Sequence, residues 1–525
     1  VEPIDLDNHR QHISQLSRRR FLQGSLALPA LASATGLAVT ACSAPPPRSG
    51  DEIVALSAQQ LSAAIKSKQL SCVEVMSSYL AQIDRLNGTF NAIVARADSE
   101  QLLAQAVQAD QELATGRYRG WMHGFPHAVK DLADARGFVT SKGSPLYRDN
   151  LASADALHIA RIRAAGAIFI GKTNTPEFGL GSQSYNSVFG ATLNAWDAFS
   201  TAGGSSGGAA AALALRMVPV ADGSDMMGSL RNPAGFNNVI GFRPSPGRVP
   251  FAPMFLEQLP TNGPMARNVS DTAQLMATMA GPAAQFPNTV PGDSAEFSAP
   301  LARDWQGTRL GWLGDFDGYL PMEEGVLSLC ERALGHFQTL GAEVEPATLN
   351  YSMAELWQTW LTFRHWIVRS TQAANYADPA RRALMKPEAI WEVEGGLALT
   401  AQDVFNASLA RAKFYAAVVK AFERYDFLLL PTAQVFPFDA AVHWPKEIAG
   451  RSMDSYHRWM EVVVPGTLSG CPVLNVPAGF GRDGLPMGLQ IIGPRFADFA
   501  TLQLGYAYEQ VARYTIDRHS PALGL

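Results

Sequence analysis

The sequence predicts an α/β protein in which helices cover a parallel or mixed sheet, and three observations carry that reading. A helix-like segment, His158 to Ala165, passes through Gly166 into the short apolar run Ala167-Ile168-Phe169-Ile170-Gly171, the helix-then-strand order of a wound sheet. Further short apolar runs recur at Arg309 to Leu313, Phe427 to Leu430 and Val473 to Val476. Between Gly203 and Gly247 the chain is rich in Gly interleaved with Ala, and Ala209 to Arg216 is so uniformly small and apolar that it reads as a helix deep in a core.

Taken in order, the chain opens on a segment that reads as an address. Ser17-Arg18-Arg19-Arg20-Phe21-Leu22-Gln23 is a twin-arginine pattern, and the apolar stretch from Leu26 to Thr40 is short and Ala-rich. It therefore reads as the h-region of an export signal, not a spanning helix. Such signals are read by a receptor, so the twin-arginine export machinery is an expected partner and the periplasm the expected compartment. Val39-Thr40-Ala41-Cys42-Ser43 has the form of a lipobox. In that reading Cys42 is lipidated and anchors the protein to a membrane; the simpler alternative is cleavage and release as a soluble protein. The expected division is a signal over 1–42, a Pro-rich extended tether over 43–52, and one large domain over 53–525.

Within that domain, Ser57-Ala58-Gln59-Gln60 and Ser71-Cys72-Val73-Glu74 both fit capping boxes that start helices. Val73, Met76, Leu80 and Ile83 recur at helical spacing and are expected to face the core, and Gln101 to Leu113 reads as another helix. Phe125-Pro126-His127-Ala128-Val129-Lys130-Asp131 alternates as a half-buried strand does. Residues from about 320 to 450 read as mostly helical and contain Trp357, Trp360, Trp366 and Trp391.

A chain of 525 residues with 47% hydrophobic and 17% charged residues builds a large core and is not disordered. A net charge of −5 leaves no basic footprint, so nucleic acid is not an expected partner. Cys42, Cys72, Cys330 and Cys471 are scattered without C-x-x-C spacing, which argues against a disulfide framework or a zinc site. No metal or organic cofactor is expected.

The residues that carry chemistry are unremarkable one at a time. A lone Lys in a strand is most often a surface or ion-paired residue, and a Gly-Ser cluster is most often a loop or a turn. Lys130 gains weight if buried, because desolvation disfavours its charged form and a neutral amine serves as a general base. Gly203-Gly204-Ser205-Ser206-Gly207 formally matches the G-x-S-x-G nucleophile elbow, but Phe199-Ser200-Thr201-Ala202 before it is too short and polar for the buried strand which that motif needs. The loop instead follows Thr173-Asn174-Thr175-Pro176-Glu177-Phe178-Gly179 and Ser184-Tyr185-Asn186. After Gly208 come Gly223-Ser224-Asp225-Met226-Met227-Gly228-Ser229-Leu230-Arg231-Asn232-Pro233-Ala234 and Ile240-Gly241-Phe242-Arg243-Pro244-Ser245. Near the C-terminus stand Pro477-Ala478-Gly479-Phe480 and Gly484-Leu485-Pro486-Met487-Gly488-Leu489-Gln490-Ile491-Ile492-Gly493. In these segments the chain resembles the amidase signature family, over nearly all of its length after the signal.

The resemblance implies a large mixed β-sheet covered on both sides by α-helices, with 53–525 as the amidase domain. It also implies hydrolysis of a carboxylic amide of a small molecule. Carried over residue by residue, Ser229 is the nucleophile and Lys130 the base. Ser205, after a cis peptide bond, stands between them and relays the proton. Ser206 supports the relay, and Asp225 and Arg231 are scaffold charges that hold the turn. The main-chain N–H groups of Met226, Met227, Gly228 and Ser229 are the expected oxyanion donors. One departure stands out: where the family most often has two glycines before the nucleophile, this chain has Met227-Gly228, and Met reaches positive φ only at a cost. Residues 320–450 match least, and substrate is usually selected there; His365, Tyr319 and the tryptophans are pocket candidates. Two rival functions follow from the same fold: a catalytically inactive binding lipoprotein, and an amidotransferase A-type subunit that works on charged tRNA. A homodimer is compatible with all three.

Overall fold

The computed structural model of the protein describes residues 49–255 and 259–524. Its centre is an eight-stranded mixed sheet. In spatial order the strands are Glu343–Pro346, Arg309–Trp312, Phe427–Pro431, Pro486–Ile492, Val473–Phe480, Ile240–Arg243, Thr261–Ala266 and Val220–Asp225. The Arg309–Trp312 strand runs parallel to both of its neighbours, and the remaining pairs are antiparallel. A separate three-stranded sheet sets Ile168–Thr173 between Ile93–Val94, antiparallel, and Pro126–Lys130, parallel.

The two sheets are bound together by the helix Gly207–Ala214, which touches strands of both. Its sequence Gly-Gly-Ala-Ala-Ala-Ala-Leu-Ala is buried from Gly207 to Leu213. Small side chains are what allow this approach: a Cβ at Gly208 would lie 2.3 Å from the Asn174 main-chain nitrogen and 2.6 Å from the Ala92 carbonyl oxygen. The helices Val269–Met279, Val326–Thr339 and Asp498–Ala512 pack on the large sheet.

The local signals place the early elements as expected. Both capping boxes are closed, at Ser57 with Gln60 and at Ser71 with Glu74, and Met76, Leu80 and Ile83 are buried while Val73 is partly so. Two expectations are corrected. The tether does not reach residue 52, because Ser49 and Glu52 form a further capping box that starts the helix Gly50–Ala55, whose Ile53 and Val54 are buried. The strand Pro126–Lys130 is not half-buried, since all five residues are inside; its alternation is that of a strand covered on both faces by packing that accommodates polar groups. The stretch 320–450 is mostly helical, led by Met353–Ala377 and Ala401–Phe422, but it also supplies the edge strand Glu343–Pro346. The twin-arginine pattern, the apolar run and Cys42 lie outside the described residues.

Candidate active site

Lys130 ends its strand with its side chain inside the protein, 1% exposed. Its Nζ lies 2.9 Å from Ser205 Oγ and 2.7 Å from Ser206 Oγ. The Ser224 carbonyl oxygen at 3.2 Å and the Ser224 hydroxyl at 3.0 Å complete the shell. Among the described residues no carboxylate touches the amine. Burial pushes its pKa down to about 7, against the pull of Asp222 and Asp225, which raise it. A lysine in this state exchanges protons near neutrality.

Ser205 follows a cis peptide bond from Gly204. Its loop is held by Ser182, whose hydroxyl donates to the Gly204 carbonyl at 2.6 Å and accepts from the Gly204 N–H at 3.2 Å. Gly179 lies beside Ser205, and a Cβ added there would stand 3.4 Å from Ser205 Oγ.

Ser229 sits on a strand–turn–helix. The strand Val220–Asp225 leads into the turn Met226 to Gly228, and the helix Asn232–Asn237 follows. The strand escapes sequence patterning, because Val-Ala-Asp-Gly-Ser-Asp has neither an apolar run nor alternation; Asp222 and Ser224 bond the Lys130 strand, and Asp225 bonds the turn and Arg231. Ser229 remains 7% exposed, more than Ser205 or Ser206. The two serine segments meet through main chain, the Ser206 N–H donating to the Ser229 carbonyl at 3.3 Å. Among the described residues no hydrogen bond joins the hydroxyls of Ser205 and Ser229.

Asp225 and Arg231 form the scaffold of the turn. Arg231 uses all five of its donors: Nε and Nη2 reach the two Asp225 oxygens at 3.0 Å each, Nη2 also meets Thr467 Oγ1 at 2.8 Å, and Nη1 meets the Val463 carbonyl at 2.9 Å and Gln490 Oε1 at 2.7 Å. Arg243 adds a second guanidinium at 3.4 Å from Asp225 Oδ1. Burial alone would raise the Asp225 carboxyl, but Arg231 and Arg243 hold it well below the usual carboxylate range.

This scaffold corrects one oxyanion assignment. The Gly228 N–H donates to Asp225 Oδ1 at 2.9 Å, so it is already committed. The N–H groups of Met226, Met227 and Ser229 have no hydrogen-bond partner among the described residues. The Met227-Gly228 departure also finds its explanation. Gly228 alone takes positive φ, +81°, while Met227 does not need it and is buried.

Sequence reasoning missed four participants. Asp222 and Ser224, two apart on one face of their strand, carry no pattern in the sequence that marks them. His127 binds Asp222 at 3.0 Å. Arg364, buried in the helix Met353–Ala377, places Nη1 3.0 Å from Met226 Sδ, while Nε meets Glu392 at 2.9 Å and Nη2 meets the Tyr456 hydroxyl at 2.8 Å. His365 belongs to the same cluster, its Nδ1 lying 2.8 Å from Glu392 Oε2. Tyr319 donates instead to Glu461 Oε1 at 3.1 Å. Trp357 and Trp360 are core residues, Trp366 is partly buried and Trp391 is exposed. Among the described residues, no group of three or more His, Cys, Asp or Glu side chains is placed to hold a metal ion.

Comparison with known proteins points the same way. A sequence profile of the family "Amidase" matches residues 74–502. An acylamidase of Rhodococcus erythropolis is 31% identical over 463 residues, 87% of this chain and 95% of that one. The A subunit of the glutamyl-tRNA(Gln) amidotransferase of Burkholderia vietnamiensis is 32% identical over 492 residues, 87% of this chain and 97% of that one. The crystal structure of a bacterial aryl acylamidase of the amidase signature enzymes superposes with a TM-score of 0.82 at 28% identity, covering 90% of this chain and 99% of the other.

Proposed function

The chain belongs to the amidase signature family and is an amidase, and on that premise we propose that it cleaves a small-molecule carboxylic amide through an acyl-enzyme on Ser229. Neutral Lys130 accepts a proton from Ser205 as Ser205 takes one from Ser229, whose Oγ attacks the carbonyl carbon. The N–H groups of Met226, Met227 and Ser229 receive the developing oxyanion. The relay run backwards protonates the departing amine or ammonia. Water, activated by the same relay, then cleaves the ester and releases the acid. Ser206 and Ser224 hold Nζ in line throughout.

The observation that carries this reading is the shell of Lys130: a fully buried amine whose contacts among the described residues are hydroxyls and one carbonyl, none of them a carboxylate. The test is release of amine or ammonia from a panel of aliphatic, aryl and amino-acid amides, beside Ser229→Ala. Turnover on at least one amide, absent in the variant, is expected; turnover that survives Ser229→Ala refutes the assignment.

The proposal extends to export by the twin-arginine route, with Cys42 as the point of lipid attachment, supported by the sequence pattern of residues 17–43. Labelled fatty acid is expected to enter the protein and to be lost with Cys42→Ala; no incorporation would leave a soluble exported form. A second reading rests on the likeness to the amidotransferase of Burkholderia vietnamiensis, in which the chain acts on charged tRNA. The net charge of −5 weighs against it.

A further inference from the structure

Lys130 lies in the small sheet and Ser229 follows an edge strand of the large one, and the side chain of Asp222 ties these two strands. Asp222 accepts the main-chain N–H of Lys130, with Oδ1 at 3.2 Å and Oδ2 at 3.3 Å. Residues two apart on a strand share a face, so Asp222 and Ser224 grip the same lysine at its two ends: one takes its backbone, the other its Nζ. Asp222 is 1% exposed, a buried charge that needs an account.

Its other neighbours do not cancel that charge. His127 Nε2 lies 3.0 Å from Asp222 Oδ1; a carboxylate only accepts, so this nitrogen carries the proton. His127 Nδ1 is buried with no hydrogen-bond partner among the described residues. Burial alone would raise the Asp222 carboxyl, but the hydrogen bond from His127 holds it below the usual carboxylate range. His158 Nε2 stands 4.0 Å from Oδ2, and burial, outweighing the pull of Asp222, takes its pKa down to about 4. Lys172 lies 3.9 Å from Asp131, and Asp225 is committed to Arg231 and Arg243. Asp222 thus keeps its negative charge beside an amine that burial drives toward neutrality.

We propose that Asp222, bridged to His127, is a positioning residue for the base: it fixes the Lys130 backbone against the serine strand, and its charge sets the pH at which Lys130 gives up its proton. The proposal rests on the reading of Lys130 as the base.

The test is the pH dependence of the rate at which a fluorophosphonate labels the full chain. Asp222→Asn keeps an acceptor for the Lys130 N–H and removes the charge; the acid limb is expected to move down by about one pH unit. His127→Leu strips the donor that holds the buried carboxylate ionised, so Asp222 takes up a proton more readily and the same limb is expected to move down as well. A limb that stays in place in both variants, with only the plateau rate reduced, overturns the proposal and leaves Asp222 a cross-strand tie. If Asp222→Asn does not fold, His127→Leu decides by the same criterion. An unaltered protein with no acid limb, or a limb that survives in the residual labelling of Lys130→Ala, instead overturns Lys130 as the base, and this proposal with it.

Discussion

At the scale of the residue, Lys130 shows solvation deciding chemistry. The same side chain on a surface would be an ammonium with a pKa near 10.4; here burial takes it down to about 7. The sign follows directly. Below that pH Lys130 is protonated and cannot accept from Ser205, so turnover falls as pH drops through about 7 and rises to a plateau above it. Lys130→Ala is expected to reduce turnover by several orders of magnitude, on the order of 10³-fold or more, and to remove that limb. Because Lys130 and Ser205 act as one unit, adding Ser205→Ala should cost far less than its effect alone. Full additivity in kcat/KM would argue against a relay. The residues of this unit were legible in the sequence only as a set, because each has a bland reading by itself.

At the scale of the element, the strand–turn–helix of Val220–Asp225, the turn, and Asn232–Asn237 is the part that sequence patterning reads worst. Patterning sees apolar runs, and Phe427–Pro431 and Val473–Phe480, found in part from such runs, supply them. Val220–Asp225 carries Asp222 and Ser224, whose partners His127 and Lys130 lie in the other sheet, which no local rule registers. The turn has one strict requirement. Gly228 has φ +81°, and a Cβ there would lie 2.1 Å from Asn232 Oδ1, a side chain pinned by its amide to the Thr432 carbonyl at 2.6 Å. Gly228→Ala is therefore expected to destabilise the fold by about 1–3 kcal/mol and to reduce activity with it, as a lowered denaturant midpoint at unchanged slope would show. A variant as stable and active as the parent would mean that the turn has a second accessible shape.

At the scale of the whole molecule, the site exists because long-range packing brings together three segments that are distant in the chain. Lys130 comes from the small sheet, Ser229 follows an edge strand of the large one, and Ser205 directly precedes Ser206, the N-cap of the Gly- and Ala-rich helix wedged between them. The motifs and the Ala-rich run revealed the participants, the Asp225–Arg231 pair and the α/β class, while the anchoring of Arg231 on Gln490 and the Asp222–His127 tie depend on contacts across more than ninety residues of chain. The central claim is that this packing makes Ser229, not Ser205, the nucleophile. Peptide mapping of the fluorophosphonate adduct by mass spectrometry tests it most directly. The account predicts a single adduct on Ser229, formed faster as pH rises through about 7. An adduct on Ser205, or none under conditions where the protein is folded, would contradict it.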